Sequence, residues 1–337
     1  MHIWSRSAGI ALGVLVDAVV GDPRRGHPVA LFGRAAAALE RRLYGDARPN
    51  GVVHVAVCVG AAAGLGVLAS LATERVPGGS PTRLGSSKAG PGVARAVAEV
   101  GLTAAATWAV LGGTTLAREG VHMAEALEAK DIEAARKRLP HLCGRDPRTL
   151  EAPELARATV ESLAENTSDA VVAPLFWGAI AGVPGLLAYR AVNTLDAMVG
   201  HRSPRYERFG WAAARLDDVA NYVPARITGL LAVLAAPDSG RALRVLRRDG
   251  HRHPSPNAGR CEAAFAGALD VTLGGVNVYG SRVEHRPEMG EGPRPEVRDI
   301  RRAVRLTRTV SLAAAAIAVL APALWPRRAR RSPARGE

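Results

Sequence analysis

Between Val160 and Leu230 the chain sets six of the seven carboxylates found there, Glu161, Glu165, Asp169, Asp196, Asp217 and Asp218, beside segments apolar enough to lie in a bilayer. A charge at membrane depth is costly and is retained mainly where it contacts a substrate, an ion or a partner. The acids are accompanied by Asn166, Asn193, Asn221, Arg190, Arg215 and Arg226. A soluble chain of this composition would scatter such groups over its surface. Their concentration predicts an active site at a membrane interface.

The remainder of the chain reads as a helical bundle in that membrane. Apolar residues make up 48% of the sequence but aromatics only 4%, and cores of small side chains suit close helix packing in a bilayer. Apolar spans are expected near 8–20, 52–72, 93–115, 171–192, 219–236 and 309–325, within one catalytic domain at 1–325 followed by a disordered basic tail at 326–337. The first span resembles a signal peptide, but Asp17 interrupts it and no A-x-A site follows, so an uncleaved helix is expected. Residues 73–92 form a Gly/Pro/Ser-rich linker without phosphate-loop spacing. Residues 116–140 have the three- and four-residue apolar steps of an amphipathic helix, ended by Pro140. Pro174, Gly182, Pro184 and Gly185 interrupt 171–192, as in a kinked span or a re-entrant pair of half-helices. The 219–236 span is imperfect, since it contains Asn221, Pro224 and Arg226. Residues 237–308 are polar and basic, and no internal repeat is visible.

A formal charge of +13 raises the question of nucleic acid. Such binding needs a basic face interleaved with aromatics or a recognised motif, and neither is present. Arginines beside apolar spans instead suggest cytoplasmic loops near anionic lipid, and phosphate-bearing ligands. The loops carrying the polar motifs must share one side of the membrane if they form one site, and re-entry at 171–192 would allow it. Cys58, Cys143 and Cys261 are isolated, which fits a reduced compartment and excludes a CxxC zinc site.

Glu161, Glu165 and Asp169 fall at i, i+4 and i+8 and stack along one helix face, where they repel unless a cation or an arginine sits among them. A solvated helix face is the plainer alternative. The apolar run that follows favours magnesium, held by one or two carboxylates plus substrate phosphates. Asp196, Asp217 and Asp218 are the other candidate ligands, although acids opening a helix also complement its dipole. Asp22 and His27 lie in a Gly/Pro-punctuated loop, GDPRRGHP, where turn chemistry alone would account for them. No HExxH, GxSxG or dinucleotide fingerprint occurs.

Several long blocks are specific enough to suggest a family. ESLAENTSDAVVAPLFW, YRAVNTLDAMVGHRSPRYERFGWAAARLDDVANYVPARITGLL, GDPRRGHPV, GRDPRTL, HPSPNAG and LGG resemble, in order and over nearly the whole chain, the CbiB/CobD family of cobalamin-biosynthesis membrane proteins. The sequence departs from that pattern at Arg260-Cys261, Val276 and His201, none of them at an acid of the acid-rich blocks. The resemblance implies an all-α, polytopic protein of the inner (cytoplasmic) membrane, its site facing the cytoplasm, beside other late cobalamin-biosynthesis enzymes. It also implies an adenosylcobinamide(-phosphate) synthase, which joins aminopropanol or its phosphate to the propionate carboxylate of adenosylcobyric acid, with ATP as co-substrate and magnesium. On the matched motifs it points to Glu165, Asp217, Asp218 and Arg145 for catalysis. Asp22, His27, Asn166, Arg190, Asn193, Arg215, Asn221, Arg226 and Asn257 would bind substrate or phosphate, with Arg202 and Arg205 as further arginines. A transporter, which also uses broken helices, or a membrane phosphotransferase are the competing expectations.

Overall fold

The computed structural model describes residues 3–23, 26–76, 92–201, 203–279 and 282–324. Most of the expected linker, Arg24, Arg25, Arg202 and the basic tail lie outside them. The described chain is helical apart from one antiparallel hairpin of β1 (Leu273–Tyr279) and β2 (Arg282–Met289). Among the described residues, four helical runs are long and apolar enough to cross a membrane: Arg48–Glu74, Val93–Glu128, Ala152–Gly200 and Val297–Ala321. The protein is an all-α, multi-pass membrane protein.

The first helices build a close-packed wall. α1 (Ile3–Val20) lies along α4 (Val93–Val110), with α2 (Pro28–Leu43) and α3 (Arg48–Glu74) beside them. A Cβ added at Gly9 would stand 2.4 Å from Thr103 Cβ, and one at Gly13 2.5 Å from Thr107 Cβ. Only glycine permits that approach, the small-residue device of membrane helix pairs. The 93–115 helix expected from composition stops early, at Val110, because Asp17 of α1 caps a new helix. Its Oδ2 accepts from Thr114 N at 3.2 Å and Thr114 Oγ1 at 2.9 Å. That new helix is α5 (Gly113–Glu128). The amphipathic stretch expected at 116–140 divides again, at Lys130 with φ 58°, where Asp131 caps α6 (Ile132–Arg138) by accepting from Ala134 N.

The decisive element is the interrupted apolar segment. α7 (Ala152–Thr167) runs through a π-helical turn at Ser168–Val172 into α8 (Ala173–Leu195), which ends in a second π turn at Asp196–Gly200. Inside α8, Gly182 takes φ 64° and ψ −148°, a conformation essentially confined to glycine, and Pro184 follows. The chain doubles back there. A Cβ on Gly185 would lie 2.4 Å from the carbonyl oxygen of Trp177, eight residues earlier and about 12 Å away in a straight helix. Each arm, from Asp169 to Gly182 and from Gly182 to Asp196, is about 20 Å long, against a hydrocarbon core of about 30 Å. The expected 171–192 span is therefore a re-entrant helical hairpin with both ends on one side. Carbonyls freed at its tip find Arg6, whose Nη1 donates to Ala179 O at 3.0 Å and Ile180 O at 3.2 Å.

The 219–236 span is likewise corrected. It comprises the end of α9 (Trp211–Ala220) and α10 (Tyr222–Ala235), which meet at Asn221. With 14 residues, α10 is about 21 Å long and too short to cross. Within the polar 237–308 region, after α11 (Ser239–Asp249), lies α12 (Ala258–Leu269), of which all but Arg260 is buried. Its Ala and Gly content lets α7, α10 and α11 close around it. α13 (Val297–Leu324) starts well before the apolar stretch at 309 and packs along α1, α5 and α7.

Candidate active site

Doubling back at Gly182 sets the hairpin's two polar ends against each other. Asn193 Nδ2 donates to Asp169 Oδ2 at 3.3 Å, although 24 residues separate them. Tyr189 Oη lies 2.8 Å from Asn221 Oδ1 and 3.2 Å from the Asp169 carbonyl, and its one proton serves either. This brings the start of α10 to the same place. The charges of Asp217, Glu165 and Asp196 all act on Asp169, and those of Asp217, Glu165 and Asp218 on Asp196. Five acids from three segments thus converge. Both π turns lie here, at Asp169 and Asp196, in keeping with the occurrence of such turns at functional sites.

Glu165 is exposed to solvent yet surrounded by protein atoms, so it sits on the floor of an open cleft. Asp217 is deeper. Burial first, then the neighbouring charges of Asp218 and Glu165, pushes its carboxyl up to about 6, against the opposing amides of Asn221 and Asn193. No partner meets hydrogen-bond geometry at its buried Oδ1. Burial also raises Asp218, opposed by Arg215, whose Nη1 lies 3.3 Å from Asp218 Oδ2.

The early loop closes one side of the cleft. His27 caps α2, its Nδ1 accepting from Val29 N at 3.1 Å. The proton is thus on Nε2, 3.4 Å from Asp22 Oδ1. Asp22 and Asp169 both act on Arg190, whose Nε is buried with no hydrogen-bond partner. On the other side, Asn257 Nδ2 donates to the Asp218 carbonyl at 2.7 Å, and its Oδ1 lies 3.4 Å from Arg226 Nη1. Arg226 also stacks 3.4 Å above the Tyr222 ring.

A second group of charges borders Glu165. Arg145, buried in the loop before α7, pairs with Glu161. Glu161 also accepts from Arg157 Nη1 at 3.3 Å and Gly274 N at 2.7 Å. Both of its oxygens are occupied, so the sequence-based expectation that Glu161 binds metal gives way to an anchoring role. Arg157 holds β1 through Gly274 O, Val276 O and Asn277 Oδ1 at 2.7–2.9 Å. β2 in turn brings Arg286, whose charge reaches Glu165 and which lies 2.8 Å from His253 Nε2 and 3.9 Å from Glu262 Oε1. Burial, then Glu161 and Glu165, holds Glu262 well above the usual carboxylate range. Burial, with Arg286 beside it, pushes His253 down to about 4 and keeps it neutral.

The expected residues fall into clear groups. Glu165, Asp169, Asp196, Asp217, Asp218, Asn193, Asn221, Arg190, Asp22, His27 and Arg145 border the cleft. Arg215, Arg226 and Asn257 stand at its α9–α10 rim. Asn166 instead ties back to Ser162 O at 2.9 Å, its amide engaged by its own helix. Arg205 lies apart, bonded to Glu40 at 3.0 Å and stacked on Tyr44. Tyr189, Arg157, Glu262, His253 and Arg286 were not anticipated. His253 opens HPSPNAG and Tyr189 opens YRAVNTLDAMVG, both blocks of the resemblance; Arg157, Glu262 and Arg286 carry no local signal.

A family model described as CobD/Cbib protein matches residues 10–307. The chain belongs to the CobD/CbiB family. The cobalamin biosynthesis protein CobD of Mycobacterium bovis is 55% identical over 323 residues, covering 94% of this chain and 96% of the relative. That of Rhodobacter capsulatus is 40% identical over 326 residues, covering 95% and 98%. No solved structure matches. Membership places the chain in cobalamin biosynthesis and hence with a corrinoid substrate in a membrane setting. The cleft of this CobD/CbiB chain is assembled from most of the blocks that carried the resemblance, including GDPRRGHPV, GRDPRTL, HPSPNAG and LGG.

Proposed function

We propose that this chain is an ATP-dependent ligase that joins aminopropanol, or its phosphate, to the propionate carboxylate of adenosylcobyric acid. The observation that carries the reading is the single open cleft in which five acids and Arg190, Arg145 and Arg286 meet, in a chain of this biosynthetic family. A carboxylate and an amine do not condense in water unaided. Transfer of the γ-phosphoryl group of ATP to the carboxylate gives an acyl phosphate and ADP. The amine nitrogen then forms its bond to the acyl carbon as the carbon–oxygen bond to phosphate breaks, releasing inorganic phosphate and a proton.

Arg190, facing Asp22 and Asp169 from the second arm, and Arg145 and Arg286 at the other end are suited to bind phosphoryl and carboxylate oxygens. The donor set also fits magnesium. The partnerless, buried Asp217 Oδ1 and its neighbouring acids favour a cation. Among the described residues no three such side chains form a ready-made metal cage. Magnesium needs none, because it is typically held by one or two carboxylates together with waters and substrate phosphates. Glu165, Asp169, Asp196, Asp217 and Asp218 would hold it. When bound it would neutralise charge on the phosphoryl oxygens. The site faces the cytoplasm, where ATP is available, from the inner membrane.

The test is purified protein in detergent with adenosylcobyric acid, magnesium, ATP and each amine offered separately. Amide product with stoichiometric ADP is expected for one of the amines. Absence of amide with both, or consumption only of a nucleotide-activated alcohol, would defeat the reading. Because detergent leaves no second compartment, turnover there also separates a ligase from a transporter.

A further inference from the structure

A cavity of about 380 Å³ lies between α2, α3, the end of α4 and the second arm of the hairpin. Phe32, Leu39, Cys58, Ala61, Leu65 and Leu187 are among its lining residues, and among the described residues Arg190 is the one charged side chain lining it. Its volume falls within the range of about 300–1,000 Å³ typical of small-molecule sites. The α2 wall from Pro28 to Leu39 runs about 16 Å, so the cavity is a long slot. An amino alcohol or a nucleotide would leave polar groups unsatisfied against such a lining. An amphiphile matches it, with an apolar tail along the slot and an anionic head at Arg190, whose buried Nε has no partner.

The surroundings identify the source. Val57 and Leu65 line the cavity and are also 48% and 63% exposed on α3, a helix long enough to cross the membrane. The slot therefore borders the bilayer. We propose that it holds one acyl chain of a membrane phospholipid, with the head-group phosphate on Arg190.

The test reads binding and not turnover, so it stands apart from the ligase reading. The intact protein is reconstituted into vesicles of phosphatidylcholine and phosphatidylglycerol carrying a photoactivatable acyl chain on the phosphatidylglycerol, and cross-linked peptides are mapped by mass spectrometry. Cross-links are expected within residues 32–39, 58–65 and 187–191. Ala61→Phe, which fills the slot from an exposed helix position, should reduce them roughly tenfold; Ala61→Leu serves as a milder variant if the larger side chain disturbs folding. Arg190→Gln should weaken labelling by the phospholipid but not by diacylglycerol bearing the same chain. Three results would overturn the proposal. The first is labelling confined to outward positions such as Leu68 and Leu71. The second is labelling indifferent to both Ala61 variants. The third is labelling abolished by adenosylcobyric acid, which would make the slot part of the substrate site.

Discussion

Replacing Asp217 by asparagine should make the metal-free protein more stable and the enzyme much slower. In the fold this carboxyl is pushed from an ordinary value of 3.8 to about 6, first by burial and then by Asp218 and Glu165. A folded value above the unfolded one means that ionisation opposes folding. The penalty is absent below about pH 4 and complete above about pH 6. The full gap corresponds to about 3 kcal/mol, and partial solvent access with coupling to the other acids reduces it to about 1–2 kcal/mol. Asp217→Asn keeps shape and amide-scale hydrogen bonding and removes the charge. At pH 8 with chelator it should melt about 1–3 °C above wild type, and the difference should vanish near pH 4. Magnesium should raise the melting temperature of wild type and do so far less for the variant. Turnover should fall on the order of 10²-fold, the scale of losing one preorganised electrostatic contact. Scanning calorimetry in detergent across pH and magnesium, with amide formation alongside, measures all of this. If Asp217→Asn melts below wild type at pH 8 in chelator, the carboxylate is a structural partner and the reasoning fails. Wild-type turnover in a folded variant would refute the metal role.

Gly182→Ala forces a side chain into φ 64°, ψ −148° and should cost about 1–3 kcal/mol, with turnover falling further as the hairpin ends separate; thermal melting and the amide assay read the two effects. Arg145→Met leaves buried Glu161 with one fewer cation and should destabilise by about 3 kcal/mol, whereas an unchanged melting curve would remove Arg145 from the fold's support. In a cysteine-free background, Gly144→Cys and Ala197→Cys, both at exposed positions flanking the hairpin, should react with an impermeant maleimide from the same side of the membrane. Labelling from opposite sides would show a complete crossing at 171–192.

The legible part of the site was the part that burial makes conspicuous. Glu165, Asp169, Asp196, Asp217 and Asp218 could be singled out because each adjoins an apolar run, where a carboxylate needs a reason to be. Asp22 and His27 read equally as turn residues, and the charge of Asp22 acting on Arg190, with His27 3.4 Å from Asp22, ties them to the cleft. Glu262 was invisible. It stands alone in an Ala-rich stretch inside a region that averages as polar, and its burial depends on α7, α10 and α11 closing around α12. Arg286 was equally unmarked, since a strand arginine reaches Glu165 only when Arg157 and Glu161 fasten the β-hairpin to α7.

Composition and pattern alone determined a helical membrane protein with acids gathered at its interface, because apolar length and ionisable interruptions are local properties of the chain. What they left open was whether 171–192 crosses or returns. Gly182 permits both outcomes, and a glycine with a following proline is found in kinked spans as well as in hairpins. The tertiary structure decides it through contacts that no local window contains. Arg6 satisfies the carbonyls of Ala179 and Ile180 at the tip, and Asn193 reaches Asp169 at the mouth. Those long-range bonds fix the turn, and the turn converts acids far apart in sequence into one cleft.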